Sequence, residues 1–152
     1  MYIAIDFDGT CVAHEFPKVG KDIGAVPVLK ELVDAGHKLI LFTMRSDIEN
    51  PSSKDYQIEE KGGQYLTEAI NWFKENDIPL YGIQTNPTQS SWTKSPKAYA
   101  QIYIDDAALG CPLIYSKERP YVDWGKVSDH LAARGIFKSV EGENLKSDQT
   151  QS

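Results

Sequence analysis

Asp6 and Asp8 stand one residue apart at the end of the apolar run Ile3-Ala4-Ile5, and Gly9 and Thr10 follow them. A short apolar run with β-branched residues reads as a buried strand. Side chains alternate along a strand, so the two acids share a face if the strand continues. Gly9 suggests that the chain leaves the sheet there instead. In open α/β sheets, ligands bind beyond the carboxyl ends of the strands. Unpaired buried charges are costly, so two acids at such an end are poor packing residues. They are suited to holding a hard cation and to attacking an electrophile. A second apolar run, Ile102-Tyr103-Ile104, ends in Asp105 and Asp106, and a third, Leu39 to Phe42, ends in Thr43-Met44-Arg45.

Asp6-Phe7-Asp8-Gly9-Thr10 resembles the D-x-D-x-T motif of the haloacid dehalogenase superfamily, mostly phosphatases and phosphotransferases with an aspartate nucleophile. The resemblance implies that Asp6 attacks phosphorus and that Asp8 is the general acid/base. It places Gly9 and Thr10 in the phosphate-binding turn. Thr43 resembles the family's second motif, a strand-end hydroxyl that hydrogen-bonds the transferring phosphoryl group. Arg45, just beyond it, could add charge-assisted bonds to phosphate; a surface salt bridge is an equal alternative. Lys97, eight positions before Asp105, fits the spacing of the charge-neutralising lysine of the third motif, with Lys94 as fallback. Pro96 precedes Lys97 where many relatives place the proline after it, and a solvated surface lysine is the plainer reading. Asp105-Asp106 resembles the fourth motif, which binds Mg²⁺. The implied metal set is therefore Asp6, Asp8, Asp105 and Asp106, a hard-oxygen group suited to a cation that keeps some of its waters. The sequence does not separate Asp105 from Asp106 as direct ligand. The resemblance covers residues 2–115.

Certain elements must position these groups. Residues 11–21 carry Pro17 and Gly20 and read as a loop or short hairpin. In the family a flap over the site lies here, so His14, Glu15, Phe16 and Lys18 could face substrate. Cys11 reads as a small packing residue beside the site. Residues 22–35 have helical apolar spacing, and Pro27 is tolerated only in a first turn, so the helix should start near Ala25 or Val26. Gly36 is a plausible stop. Residues 64–76 form an amphipathic pattern, with Leu66, Ala69, Ile70 and Phe73 on the apolar face and Trp72 partly buried beside it. Leu80–Gln84 and Leu113–Tyr115 read as strands, and residues 123–134 as a closing helix capped by Asp123 and stopped at Gly135. His37 and His130 receive no chemistry. The polar stretches 47–61 and 85–96 are long loops of the kind that often carries function. Neither 47–61 nor 11–21 could hold a cap domain, although 47–61 could form a lid.

The expected architecture is α/β: a three-layer, Rossmann-like domain of the haloacid dehalogenase type over residues 1–140, with a mainly parallel sheet and a polar tail at 141–152. At 152 residues the chain can bury a sizeable core. Its 41% hydrophobic and 25% charged residues are those of an ordinary globular protein. No run approaches the ~18 apolar residues of a membrane span. No leader is evident, and two cysteines lack disulfide or metal-ligand patterning, so a reducing cytoplasm is the default. Sixteen basic against 22 acidic residues give a net charge of −6, which disfavours nucleic acid without excluding it, since a local basic patch overrides net charge. The expected activity is Mg²⁺-dependent hydrolysis of a phosphomonoester through an aspartyl-phosphate. A polynucleotide 3′-phosphatase or nucleotidase is one alternative, and a non-catalytic phosphate- or metal-binding module another. A capless site also implies a large substrate or a homo-oligomer that covers it.

Overall fold

The first apolar run forms β1 (Tyr2–Ile5), whose Ile3, Ala4 and Ile5 are fully buried. In the computed structural model, which describes residues 1–48 and 63–137, β1 is followed by α1 (Ala25–Asp34), β2 (Lys38–Leu41), β3 (Asp47–Ile48), β4 (Gly63–Gln64) and α2 (Tyr65–Glu75). Then come β5 (Gly82–Ile83), β6 (Ile102–Ile104), β7 (Leu113–Ile114), β8 (Tyr121–Val122) and α3 (Trp124–Ala133). The fold is α/β, with one four-stranded sheet of order β5-β2-β1-β6 whose pairs are all parallel. Two antiparallel pairs, β3–β4 and β7–β8, stand apart from it. The expected lid at 47–61 and the tail at 141–152 fall mostly or wholly outside the described residues.

Local chemistry explains the helix ends. The Asp22 carboxylate accepts N–H bonds from Gly24, Ala25 and Val26, which fixes the start of α1 and leaves Pro27 in its first turn. Gly36 ends that helix region at φ 90°, which glycine alone adopts freely. Asp123 caps α3 by accepting from Lys126 N–H. In α2 the buried stripe is Ala69, Trp72 and Phe73, so Trp72 belongs to the core rather than to its margin.

All three helices bury their stripes on one face of the sheet. Leu29, Leu32, Phe73, Trp124 and Leu131 share one cluster with Ile3, Ile5, Leu39, Leu41 and Ile104. Strand alternation sends Tyr2, Ala4, Lys38, Ile40 and Tyr103 to the opposite face. Handedness accounts for this arrangement. The steps β1 to β2 to β5 run in one direction, so right-handed crossovers put α1 and α2 on one side. The return from β5 to β6 must cross the other side. Among the described residues, that crossing, residues 84–101, holds a single 3-10 turn at Gln89–Ser91 and no α-helix. Two buried amides pin it. Asn86 donates to the Tyr99 carbonyl, and Gln89 donates to the carbonyls of Ser95 and Lys97 while accepting from Tyr99 N–H.

Among the described residues no helix is long and apolar enough to cross a membrane.

Candidate functional site

β1 sends β2 to one side and β6 to the other, so a crevice opens at its carboxyl end. Asp6 is the next residue, and its N–H still bonds the Ile104 carbonyl at 3.0 Å. The chain then turns. The Phe7 carbonyl accepts from Thr10 and Cys11 N–H at 3.1 and 2.8 Å, and Gly9 sits at φ 77°. A Cβ at Gly9 would lie 1.9 Å from His14 Nε2 and 2.6 Å from Asp106 Oδ2, so only glycine fits this turn. From the α3 side, Trp124 donates to the Thr10 carbonyl at 2.6 Å.

Asp105 and Asp106 follow β6 in the same way. Thr10 ties the two strand ends together: its hydroxyl donates to Asp6 at 2.8 Å and accepts from Asp106 N–H at 3.1 Å. Asp6, Asp105 and Asp106 each offer an oxygen, and the three lie within 4.8 Å of one another. Burial pushes the Asp6 carboxyl from its ordinary 3.8 up to about 7; the Thr10 bond opposes this and Asp105 adds to it. Burial also raises Asp105, with Asp106 adding to the rise. His14 Nε2 meets Asp106 Oδ2 at 2.9 Å. Three partly buried carboxylates crowded together suit a hard dication, which relieves their repulsion and prefers oxygen ligands. The donor set therefore fits Mg²⁺. Cys11 is fully buried, and burial holds its thiol well above the usual range, consistent with packing.

Asp8 stands outside this group. Arg45 Nε and Nη2 hold its two oxygens at 2.7 Å each, a bidentate pair. The remaining N–H groups of Arg45 reach the carbonyls of Pro17, Lys18 and Tyr65, and its guanidinium lies over the rings of Phe7 and Phe16. Arg45 is only 3% exposed. Of the two expectations for Arg45, phosphate contact or a salt bridge, the geometry shows a salt bridge, with its donor fork on Asp8, the 11–21 segment and α2. Asp8, also expected among the metal-binding carboxylates, is thus bound to Arg45 and is not grouped with Asp6, Asp105 and Asp106.

Thr43 lies just past β2. Its hydroxyl oxygen accepts from Arg45 N–H at 3.1 Å and retains a proton to donate. Gln84 holds this turn in place, accepting from Thr43 N–H and donating to the Thr43 and Arg45 carbonyls. Gln84 does so at φ 65°, a left-handed conformation uncommon for a non-glycine residue.

Lys97 is not brought to the carboxylates. It is exposed, its Nζ lies 5.5 Å from the centre of the Tyr103 ring, and it pairs with no described carboxylate within 4 Å. The segment beside it enters the sheet at the start of β1, where Gln101 N–H bonds the Tyr2 carbonyl, opposite the end that carries Asp6. Lys94 is exposed on the same segment. Sequence reasoning left Gln84 and Trp124 without roles at the site and gave His14 a place facing substrate, not a bond to Asp106. Only His14 carried a signal, by lying in the segment expected to fold over the crevice.

No protein-family model matches the chain, and no curated protein matches it. A solved structure does: the conserved protein coded by a locus from Bacteroides thetaiotaomicron, 30% identical, with a TM-score of 0.65 over 88% of this chain and 91% of that one.

Proposed function

We propose that this chain, which belongs to one family with the conserved Bacteroides thetaiotaomicron protein, is a Mg²⁺-dependent phosphomonoester hydrolase of the haloacid dehalogenase type. The domain would span residues 1–140, three-layered and capless, with the β5–β6 crossing as third layer and residues 141–152 as a tail. The observation that carries the reading is the convergence of Asp6, Asp105 and Asp106 beside Thr10 at the crevice where the strand order reverses.

Asp6, Asp105 and Asp106 would hold Mg²⁺, which polarises phosphoryl oxygens as a Lewis acid. An Asp6 oxygen attacks phosphorus, and the ester P–O bond breaks to leave an aspartyl-phosphate. Asp8 gives its proton to the leaving oxygen, then takes one from the water that cleaves the Asp6–phosphorus bond and frees phosphate. Arg45 fixes where Asp8 stands, and one of its two bonds weakens while Asp8 carries the proton. The Thr43 hydroxyl, set by Gln84, donates to a phosphoryl oxygen. Lys97 acts in charge neutralisation only if its segment moves toward the site.

Phosphate release from an aryl phosphate tests this, followed by sugar phosphates, nucleotides, phosphopeptides and 3′-phosphorylated oligonucleotides. Turnover with Mg²⁺ that chelator stops, and that Asp6→Asn abolishes, is expected. Undiminished turnover in chelator overturns the metal assignment. Inactivity on every ester overturns catalysis in favour of a phosphate- or metal-binding module. A cytoplasmic location completes the proposal, and either a large substrate or a partner subunit covers the open site, which gel filtration distinguishes.

A further inference from the structure

The sheet face away from the helices carries a run of exposed aromatic rings. Trp92 is 62% exposed and Tyr99 42%. The rings form a continuous row, Trp92 to Tyr99 at 5.3 Å, Tyr99 to Tyr2 at 5.8 Å and Tyr2 to Tyr81 at 5.6 Å between centroids. A cleft of about 290 Å³ opens between Trp92, Tyr99, Tyr103 and Lys97 and includes Thr93 and Ser95. Large exposed aromatics in a cluster mark a surface that meets something.

Charge says what. The chain has 22 acidic residues, yet the 27 residues from 78 to 104 contain none and carry Lys94 and Lys97. Lys38, from β2, places its Nζ 4.7 Å from the Tyr81 ring centre and 5.9 Å from that of Tyr2. Lys97 sits over Tyr103 at the other end. Among the described residues the strip is therefore made of rings and lysines without a carboxylate, on an acidic protein. A second copy docking through this face would set lysine against lysine with no carboxylate to answer. A chain of phosphates bearing flat bases answers both features, since bases stack on aromatic rings and phosphates pair with lysines.

The ring row crosses the sheet at the amino ends of the strands, and Tyr103 leads from it toward the site at the opposite end. Tyr103 precedes Asp105 by two residues of β6, about 7 Å along a strand. The Tyr103 ring lies 6.2 Å from Phe42, the neighbour of Thr43. Tyr2 lies four residues before Asp6, about 13 Å away on the same scale. That length holds a few nucleotides, and four rings in series exceed what one base needs.

We infer that this face binds single-stranded nucleic acid and guides its phosphorylated end toward Asp6. What is bound follows from the face alone; that the end is cleaved rests on the phosphatase reading. A fluorescein-labelled eight-residue oligothymidylate bearing a 3′-phosphate, titrated in chelator and read by anisotropy, tests it. Binding should weaken with salt, with a slope near −2 on logarithmic axes if three lysines meet phosphates. Trp92→Ala and Tyr99→Ala should each weaken it about tenfold, and Lys38→Glu should make the salt dependence shallower. Unchanged melting temperatures would confirm that these exposed positions leave the fold intact. Absence of binding at low salt overturns the inference, as does binding that none of the three variants alters. Equal competition by polyglutamate, equal affinity for thymidine monophosphate, or a dimer that these variants dissociate overturns it too. Run in chelator, the titration fails or succeeds independently of hydrolysis, which the aryl phosphate assay reads separately.

Discussion

Replacing Arg45 by Met separates a structural arginine from one that serves substrate. Arg45 makes two 2.7 Å bonds to Asp8 and reaches three backbone carbonyls, and its side chain is 1% exposed. Methionine keeps much of the volume and removes every donor. Breaking a buried ion pair from one side costs about 3–5 kcal/mol, because the other charge stays behind. Asp8 keeps 18% of its side-chain surface, so water recovers part of the loss and the lower end applies, about 3 kcal/mol. For a chain of this size that lowers the melting temperature by roughly 6–12 °C. Urea unfolding followed by tryptophan fluorescence measures it. The double variant Arg45→Met with Asp8→Asn should recover stability relative to the single, since the stranded charge is gone. Arg45→Lys should recover little, because an ammonium cannot reproduce the fork. The reasoning fails if Arg45→Met costs under about 1 kcal/mol. It also fails if Arg45→Lys folds as stably as the parent while raising KM for the phosphoester, since Arg45 would then be facing substrate.

Other outcomes follow from the same geometry. Without metal, Asp6 titrates near 7 in the folded state against 3.8, so the cost of ionising it is absent below about pH 4 and complete above about pH 7. The metal-free protein should therefore lose stability across that window by up to about 4 kcal/mol, while Asp6→Asn should lose less across it and be more stable at pH 8. Equal pH dependence of the two melting temperatures in chelator would contradict this. Mg²⁺ should raise the parent's melting temperature more than that of Asp6→Asn, as calorimetry with and without the ion can show. Gly9→Ala should cost more than about 1 kcal/mol from φ 77° alone and should displace His14, read as lost turnover and earlier unfolding. Trp124→Phe should leave the Thr10 carbonyl unpaired and cost about 1–3 kcal/mol in urea.

Much of the frame was visible in the residues. Ile3 to Ile5 and Ile102 to Ile104 are apolar runs ending in acids, and both lie in the parallel sheet with their acids at one end. Pro27 put the start of α1 at Ala25, and Asp123 announced α3. Where the sequence left alternatives open, the cause is that sequence distance hides direction. Arg45 follows a strand end as a phosphate-binding arginine would, but its partner Asp8 is 37 residues away and buries it. Lys97 has suitable spacing to Asp105, yet spacing along the chain does not set reach across a sheet. In α2 the expected apolar residues Leu66, Ala69, Ile70 and Phe73 all pack on the core, and Trp72 joins Ala69 and Phe73 as its buried members. β7 was visible in the apolar run Leu113–Tyr115, whereas β3, β4 and β8 have two residues each, too short for any period to register.

That β1 is central has a consequence for synthesis. The first strand made is flanked on one side by β2, which begins at Lys38, and on the other by β6, which begins at Ile102. At about 5–20 residues per second, β1 waits several seconds on the ribosome for that second neighbour. Until then one edge of an apolar strand offers unpaired N–H and carbonyl groups to any passing chain. Asp6, at the end of β1, is translated 99 residues before Asp105, so the carboxylate group cannot assemble until β6 has been made. Chains cut short before residue 102 therefore combine an unsealed sheet with an incomplete carboxylate group. Such fragments expose a strand edge while the carboxylate group is unformed, which ties quality control of this protein to completion of its sixth strand.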